Sequence, residues 1–171
     1  MNEIFKRTSV RQFTDRLVES EKIEQLLKAG MQAPSAGNQQ PWEFVVIDDP
    51  QLKDALCEAS PYTGPLKRSP MGIVALARTN DMRFPEDVQS DMSAATQNIL
   101  LEAVSLGLGA CWLGVFPIQE RMDVITEALK LPNTVAPFSM IAVGYPAAEA
   151  EATLRYDATR VSYNGYPRTA S

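Results

Sequence analysis

Apolar residues recur at intervals of three and four in three stretches of the chain, which is the spacing of one face of an α-helix. The first stretch begins at the capping residue Ser20 and ends near 30–34. The second covers 88–106, and the third covers 118–129 and stops before Pro132. The pattern therefore predicts three helices, of which the second is long and largely buried.

Four short runs rich in β-branched and aromatic residues alternate with these helices and predict strands. They cover 42–47, 72–78, 110–116 and 138–143. A further helix is expected over 52–59, and 60–70, which several prolines break, is expected to be a long loop. Helices and strands mixed within one unit favour an α+β or α/β layered fold, and the pattern leaves the order of the strands open.

The length of 171 residues fits one domain over 1–171. A formal charge of -5, from 16 basic and 21 acidic residues, would repel a phosphate backbone, so nucleic acid is not an expected partner. No stretch approaches the roughly 20 consecutive apolar residues of a membrane helix, and the first residues lack the apolar run of a signal peptide. We therefore expect a cytoplasmic protein without membrane partners.

Histidine is absent from the sequence. This excludes Ser-His and Cys-His nucleophile pairs and the common zinc sites that contain histidine, so no metal is expected. Two cysteines, Cys57 and Cys111, are too few for a disulfide scaffold and are expected to be buried free thiols. Any chemistry must use carboxylates, cations, hydroxyls or an organic cofactor.

Two arginines and a serine alternate near the start of the chain, at Arg7, Ser9 and Arg11. In an extended segment their side chains share one face, because the strand repeat is two residues. Guanidinium groups offer a planar fork of donors that matches phosphate oxygens, and the serine adds a further donor. The three groups could hold a phosphate monoester, and the alternative is a solvated basic N-terminus.

A second cluster covers 33–42 and combines small residues, two prolines and several amides. Small residues allow a backbone to approach a flat ligand closely, and Asn38 and Gln40 could bond the polar edge of a heterocycle. The alternative is a plain connection between helix and strand, which usually takes about two to six residues. This one is longer.

The glycine-rich run 107–114 could be mistaken for a dinucleotide-binding fingerprint. Its glycines follow a helix and precede a strand, which is the reverse of the context that places a pyrophosphate at a helix N-terminus. The run instead indicates a tight helix exit and a strand in which Gly114 leaves room beside the backbone for a ligand.

Taken together, these runs resemble the nitroreductase family. The matching segments are RTSVRQF at 7–13, PSAGNQQPW at 34–42, GLGACWLG at 107–114, and GYP at 144–146 followed by an arginine-containing tail. The resemblance implies an α+β fold with a central, mainly antiparallel sheet flanked by helices. It also implies a homodimer that exchanges its C-terminal tails and holds FMN at the interface.

Carried over by position, the resemblance assigns residues to each part of the flavin. The phosphate would be held by Arg7, Ser9 and Arg11, and by a tail cation that is either Arg155 or Arg160. The flavin ring would meet Leu113 and Gly114 of the same subunit. From the other subunit it would meet Pro34, Ser35, Ala36 and Asn38. Lys67 and Arg68 match no family contact securely, and 79–87 is shorter than the lid of larger members.

The implied activity is transfer of hydride from NADH or NADPH to FMN, followed by reduction of a nitroaromatic, quinone or similar flat electron acceptor in the same cleft. Such sharing of one cleft gives ping-pong kinetics. No side chain is assigned as an obligatory acid or base, since flavin chemistry belongs to the cofactor. The alternatives are a flavin-binding or sensory module with little turnover, and a dehalogenase or flavin-processing relative.

Overall fold

The computed structural model of the protein describes residues 3–149 and 151–166. Its centre is a four-stranded sheet with the order β1-β2-β4-β3, in which every pairing is antiparallel. The strands are β1 (Trp42–Ile47), β2 (Met71–Arg78), β3 (Gly109–Gly114) and β4 (Val135–Gly144). The predicted α+β class and the antiparallel sheet are confirmed.

Three strands differ from their predicted bounds: β2 begins one residue earlier, and β3 and β4 differ at both ends. The strand predicted over 110–116 ends at Gly114, whose carbonyl accepts a hydrogen bond from the Arg121 side chain at 2.7 Å. The strand predicted from residue 138 begins at Val135 instead. It contains Pro137, which lacks an N–H donor, and the pairing with β2 shifts register at that point.

In the part of the chain that the structure describes, six α-helices connect and cover the strands. They are α1 (Glu3–Lys6), α2 (Ser20–Met31), α3 (Pro50–Cys57), α4 (Gly64–Arg68), α5 (Val88–Ser105) and α6 (Gln119–Leu129). The three helices predicted from periodicity are confirmed. The start of α3 precedes the predicted residue 52 because the Asp49 side chain caps it, accepting from the Leu52 amide at 2.7 Å.

The prediction that 60–70 is a loop without regular structure was wrong. A short helix, α4, occupies its centre, with Pro65 in the first turn, where a missing N–H costs nothing. The helix is retained because Leu66 is buried against the sheet. A Cβ atom at Gly72 of β2 would lie 2.4 Å from the Leu66 side chain, so the glycine permits this close packing.

The sheet has a hydrophobic core on each face. One core contains Leu26 of α2 and Ile99 of α5, and the other contains Leu56, Leu66 and Ile125 from the opposite helices. The inner strands β2 and β4 are buried along nearly their whole length, because helices cover both faces. Within the described ranges, no helix has both the length and the apolar character needed to cross a membrane.

The segment after α1 runs along the outer edge of the sheet beside β3. Ser9 forms a parallel bridge with Ala110, and the Val10 amide donates to the Ala110 carbonyl at 3.0 Å. A Cβ at Gly109 would lie 2.7 Å from the Val10 side chain, so the glycine allows the segment to dock. The alternating arginines are thereby fixed next to β3.

Candidate functional site

The N-terminal site candidates lie where the edge segment passes β3. Ser9 is held by its bridge to Ala110, and the Arg11 carbonyl accepts a hydrogen bond from Arg68 Nε at 3.1 Å. The Arg11 guanidinium donates to the Ser9 carbonyl at 3.2 Å, and the Ser9 hydroxyl makes no hydrogen bond to any residue that the structure describes. This hydroxyl is therefore available to a ligand.

A cavity of about 550 Å³ opens beside the end of β3. Three cations and the last residues of the strand line it, namely Arg11, Arg68, Arg121, Trp112, Leu113 and Gly114, together with Cys111 and residues of α4 and the turn before it. The sequence did not identify Arg121, and it left Arg68 unassigned. Both arginines reach the cavity through the fold, since one lies on α4 and the other on α6.

The arginines at this edge of the sheet have no carboxylate partner among the described residues. Across 3–149 and 151–166, no ion pair involves Arg7, Arg11, Arg68 or Arg121. Burial raises the pKa of the Cys111 thiol, and the charges of Arg11 and Arg7 oppose this rise to a smaller extent. Cys111 is a buried free thiol as predicted, whereas Cys57 is free but only partly buried.

The two residues that end β3, Leu113 and Gly114, contribute to the cavity in different ways. The Leu113 side chain is buried in the core that also contains Ile125 of α6, so the residue offers its backbone to the cavity. Gly114 is exposed, and a Cβ placed there would meet nothing closer than an Arg121 atom at 3.9 Å. Internal packing therefore gives no reason for a glycine at this position.

The other predicted contacts lie in the turn 34–40, which precedes β1. Its centre is a single 3-10 turn over Ala36–Asn38, in which Pro34 and Asn38 are exposed. The Ser35 hydroxyl accepts from the Gln40 amide at 3.0 Å, and the Asn38 side chain accepts from the Gln40 side chain at 3.0 Å. The turn is thus stabilised internally and presents its outer surface to solvent.

One chain does not bring this turn together with the cavity beside β3. Antiparallel pairing places the start of β1 and the end of β3 at the same end of the sheet, but at opposite edges. With strands about 4.8 Å apart, three strand spacings separate the two groups by roughly 14 Å. The residues assigned to one site therefore form two separate groups within a chain.

Between these groups, at the same end of the sheet, lies a second cavity of about 320 Å³. Its lining is largely apolar and includes Met82, Pro85, Val88, Phe116 and Phe138, with Arg78 and Glu86 also present. The rings of Phe116 and Phe138 are stacked with centroids 5.9 Å apart. The apolar lining of the cavity is suited to an aromatic ring.

The C-terminal tail lies on the surface of the chain. Every residue over 151–166 is exposed, including Leu154, Tyr156 and Tyr163 at 76%, 80% and 84%. Arg155 lines a groove of about 480 Å³ that it shares with Arg7, Ile4 and Phe5 of the N-terminal segment. Arg160 instead pairs with Asp157 at 3.1 Å, so the two candidate tail cations differ in availability.

A family model described as "Nitroreductase family" matches residues 4–63 and 60–145. The chain belongs to the nitroreductase family. The resemblance seen in the sequence is confirmed, and the match covers the edge segment, the turn 34–40 and the β3 cavity.

Individual nitroreductase relatives agree with this. A protein of Archaeoglobus fulgidus, provisionally named an NADH dehydrogenase/NAD(P)H nitroreductase, is 41% identical over 162 residues, which cover 92% of this chain and 93% of the relative. The crystal structure of a provisionally named NADH oxidase from Clostridium acetobutylicum has a TM-score of 0.93 and 47% identity, covering 96% and 99% of the two chains. A provisionally named nitroreductase from Desulfovibrio desulfuricans, solved in complex with FMN, has a TM-score of 0.83 and 32% identity, covering 97% and 96%.

Proposed function

We propose that the chain is an FMN-dependent oxidoreductase that takes hydride from NADH or NADPH and reduces nitroaromatics, quinones or similar flat acceptors. Family membership, the FMN held by the Desulfovibrio relative and the name of the Archaeoglobus relative support the cofactor and the donor. The observation in this chain that carries the assignment is the cavity beside β3. Three guanidinium groups without ion-pair partners among the described residues line it next to the exposed Gly114.

Arg11, which lines this cavity, and the neighbouring Ser9 and Arg7 of the edge segment fit the phosphate of FMN. Arg7 and Arg11 are both close enough to affect the Cys111 thiol, and the Ser9 hydroxyl between them is available. Convergent guanidinium and hydroxyl donors match a phosphate dianion. We assign these three residues to the phosphate, together with Arg155 from a tail, because Arg160 already has a carboxylate partner in Asp157.

The end of β3 fits the flat ring. Because Gly114 has no side chain, a ring can approach its backbone and that of Leu113 closely. The turn 34–40 lies at the opposite edge of its own sheet and cannot cover the same ring. We therefore assign Pro34, Ser35, Ala36 and Asn38 to the flavin bound at the partner subunit's β3.

The exposed tail supports a homodimer in which each tail packs on the partner. Leu154, Tyr156 and Tyr163 are large, partly apolar side chains that a single chain leaves in water. Tyrosine is common at interfaces, because it buries a large ring while its hydroxyl stays hydrogen-bonded. Exchange of the tails would cover these residues and bring Arg155 towards a phosphate.

When bound, FMN supplies hydride and electron transfer, so that nicotinamide and acceptor use one cleft in turn with ping-pong kinetics. The chain's own residues hold the phosphate, orient the ring and exclude water from its faces. The cavity lined by Phe116 and Phe138 suits an aromatic acceptor, because flat rings pack well against aromatic side chains.

The test is oxidation of NADH and of NADPH by FMN-reconstituted protein in the presence of a naphthoquinone, with free FMN at the same concentration as the control. We expect turnover well above the control and parallel lines in double-reciprocal plots. Bound flavin without turnover would indicate a binding or sensory module instead. Release of halide from a halogenated phenol without quinone reduction would indicate a dehalogenating relative.

A further inference from the structure

The turn 34–40 adopts an unfavourable backbone conformation. Gly37, Asn38 and Gln40 have φ angles of 54°, 56° and 49°, in the left-handed region that residues with side chains rarely occupy. Such conformations persist only where surrounding contacts hold them. The contacts that hold this turn are therefore informative about what the turn does.

The Gln39 carboxamide supplies three of these contacts. Its Oε1 accepts from the Phe84 amide at 3.0 Å, and its Nε2 donates to the Phe84 carbonyl at 2.9 Å. The second hydrogen of Nε2 donates to Asp91 Oδ2 at 2.8 Å. A flipped amide would face each partner with the wrong group, so the hydrogen-bond pattern fixes the orientation of the carboxamide.

Asp91 connects the same group to the start of the turn. Its Oδ1 accepts from the Ala36 amide at 3.0 Å, and the residue is only 5% exposed. Burying a carboxylate is costly unless hydrogen bonds compensate it, and here N–H donors of the turn do so. The other side of the turn is closed by the Phe84 ring, which a Cβ at Gly37 would approach to 2.5 Å.

The backbone of the turn is tied down as well. The Arg78 side chain donates from Nη2 to the carbonyls of Gln39 at 2.8 Å and Gln40 at 3.1 Å. The turn is thus joined to the end of β2, to Phe84 in the connection that follows, and to the first turn of α5.

We propose that Gln39 and Asp91 are positioning residues that hold the turn 34–40 in the shape required to cover the partner subunit's flavin. This inference rests on the proposed function, because the turn is useful in this shape only if it contacts the ring. Neither residue touches the cofactor in this scheme. They act through the backbone of Ala36 and through the left-handed residues on either side of Gln39.

The substitution Asp91→Asn tests the proposal because no arrangement of the new amide satisfies its neighbours. The amide must present its NH2 group either to the Ala36 N–H or to Gln39 Nε2, and both are donors. A flip of Gln39 would relieve one conflict but would create two at Phe84. The volume of the side chain is nearly unchanged, so the change acts on the charge and hydrogen bonds at this position and not on packing.

Thr96→Val is the matched control. Thr96 is on the same helix, fully buried, and bonds Met92 and Ser139 rather than the turn. This variant also loses a buried hydrogen bond, but it should leave the turn intact. The comparison separates a general loss of stability from a change confined to the shape of the turn.

Two readouts are needed, and both use the full chain. In the flavin-free protein, Asp91→Asn should accelerate hydrogen exchange at the amides of Ala36 and Phe84 at least tenfold, whereas Thr96→Val should not. In FMN titrations, Asp91→Asn should raise the dissociation constant about tenfold, the loss expected for one charged hydrogen bond, and Thr96→Val should leave it near the parent value.

Unchanged hydrogen exchange at Ala36 and Phe84 in Asp91→Asn would show that Gln39 and Asp91 do not hold the turn, whatever the FMN affinity. Faster exchange with unchanged FMN affinity would overturn the role towards the flavin. Equal losses of FMN affinity in both variants would reduce Asp91 to a general structural role and overturn the proposal. Failure of the parent protein to bind FMN would refute the proposed function, and with it the role of the turn towards the flavin. The exchange data would still show whether Gln39 and Asp91 hold the turn.

Discussion

Among the described residues, four cations pair with a carboxylate, and the others, which include Lys22, Lys53 and Arg78 as well as the arginines beside β3, do not. Arg16, Lys28, Lys67 and Arg160 each pair with a carboxylate at 2.6 to 3.3 Å. The arginines beside β3 have no ion pair among the described residues. Uncompensated guanidinium groups repel one another, so their clustering is best explained by an anionic ligand.

The first prediction concerns Arg7 and Arg11. Replacing either by alanine removes a charge-assisted hydrogen bond worth about 1.5 to 3 kcal/mol, which is roughly a ten- to hundredfold loss of FMN affinity. Fluorescence titration of the stripped protein measures it, and Lys28→Ala, an exposed cation on α2, is the control. Unchanged affinity in both arginine variants would refute the phosphate assignment.

The second prediction distinguishes a glycine needed for ligand binding, Gly114, from a glycine needed for packing, Gly109. Gly114→Ala should leave the free energy of unfolding nearly unchanged, because the new Cβ meets nothing within 3.9 Å, but should weaken FMN binding. Gly109→Ala should destabilise the fold by about 1 to 3 kcal/mol, because its Cβ would lie 2.7 Å from the Val10 side chain.

Urea unfolding and FMN titration of both variants provide the comparison. Full FMN affinity in Gly114→Ala would show that the ring does not approach this backbone.

Residue types near the site could be read from the sequence more easily than their partners. The alternating arginines and the amide-rich turn carry a recognisable local signal. Gln39 and Asp91 do not, since they are 52 positions apart and only the packing of α5 against the turn brings them together. The available signal was a charged residue, Asp91, on the buried side of a helix where the other residues are apolar except Thr96.

Among the elements, the start of α2 is fastened to the end of β4 by a polar cluster around Tyr145. The Tyr145 hydroxyl donates to Glu19 at 2.7 Å and accepts from Lys22 at 2.8 Å, and the Arg16 guanidinium lies 4.0 Å from the ring centroid. The hydrogen bond from Tyr145 is the main reason that the pKa of Glu19 is lowered from its ordinary 4.5 to about 2.

The third prediction follows from this shift. A carboxylate with a lowered folded-state pKa stabilises the fold above about pH 4.5, and this contribution is lost as the pH falls towards about 2. Tyr145→Phe removes the main hydrogen bond but keeps the ring, so it should lower stability at neutral pH and flatten the acid dependence between those values.

Thermal melts across this pH range measure the effect, with Tyr62→Phe as an exposed control whose hydroxyl makes no hydrogen bond to the described residues. An unaltered acid profile in Tyr145→Phe would contradict this explanation of the Glu19 pKa.

Elements with a strong periodic pattern were predicted well, and those defined by tertiary contacts were not. The strand β1 was predicted at its observed bounds because its residue types and flanking turn agree. The helix α4 was missed because its prolines and glycine indicate a loop locally, whereas burial of Leu66 makes it a helix. The early start of β4 was missed because Pro137 is unusual in an inner strand, and a register shift accommodates it.

At the scale of the whole molecule, we propose that the site requires two copies of the chain. The two groups of candidate ligands lie at opposite edges of one sheet, and the tail that carries Arg155 leaves large side chains in water. Both features are explained if the partner covers the tail and supplies the turn 34–40. The tail and the site should therefore depend on each other.

The fourth prediction is that truncation before Leu154 costs both dimerisation and flavin occupancy. The removed segment includes Arg155 and the exposed tyrosines, which we assign to the interface. Light scattering after size exclusion, read together with the ratio of flavin to protein absorbance, measures both quantities. A truncated protein that remains a fully loaded dimer would refute exchange of the tails.

The most direct test of the central claim is identification of the cofactor. Purified protein, reconstituted if necessary, is denatured, and the released chromophore is separated by chromatography and quantified by absorbance. The cationic cavity beside β3 has groups for one terminal phosphate, so we expect FMN at about one per chain. Recovery of FAD, or of no flavin after reconstitution, would contradict the account.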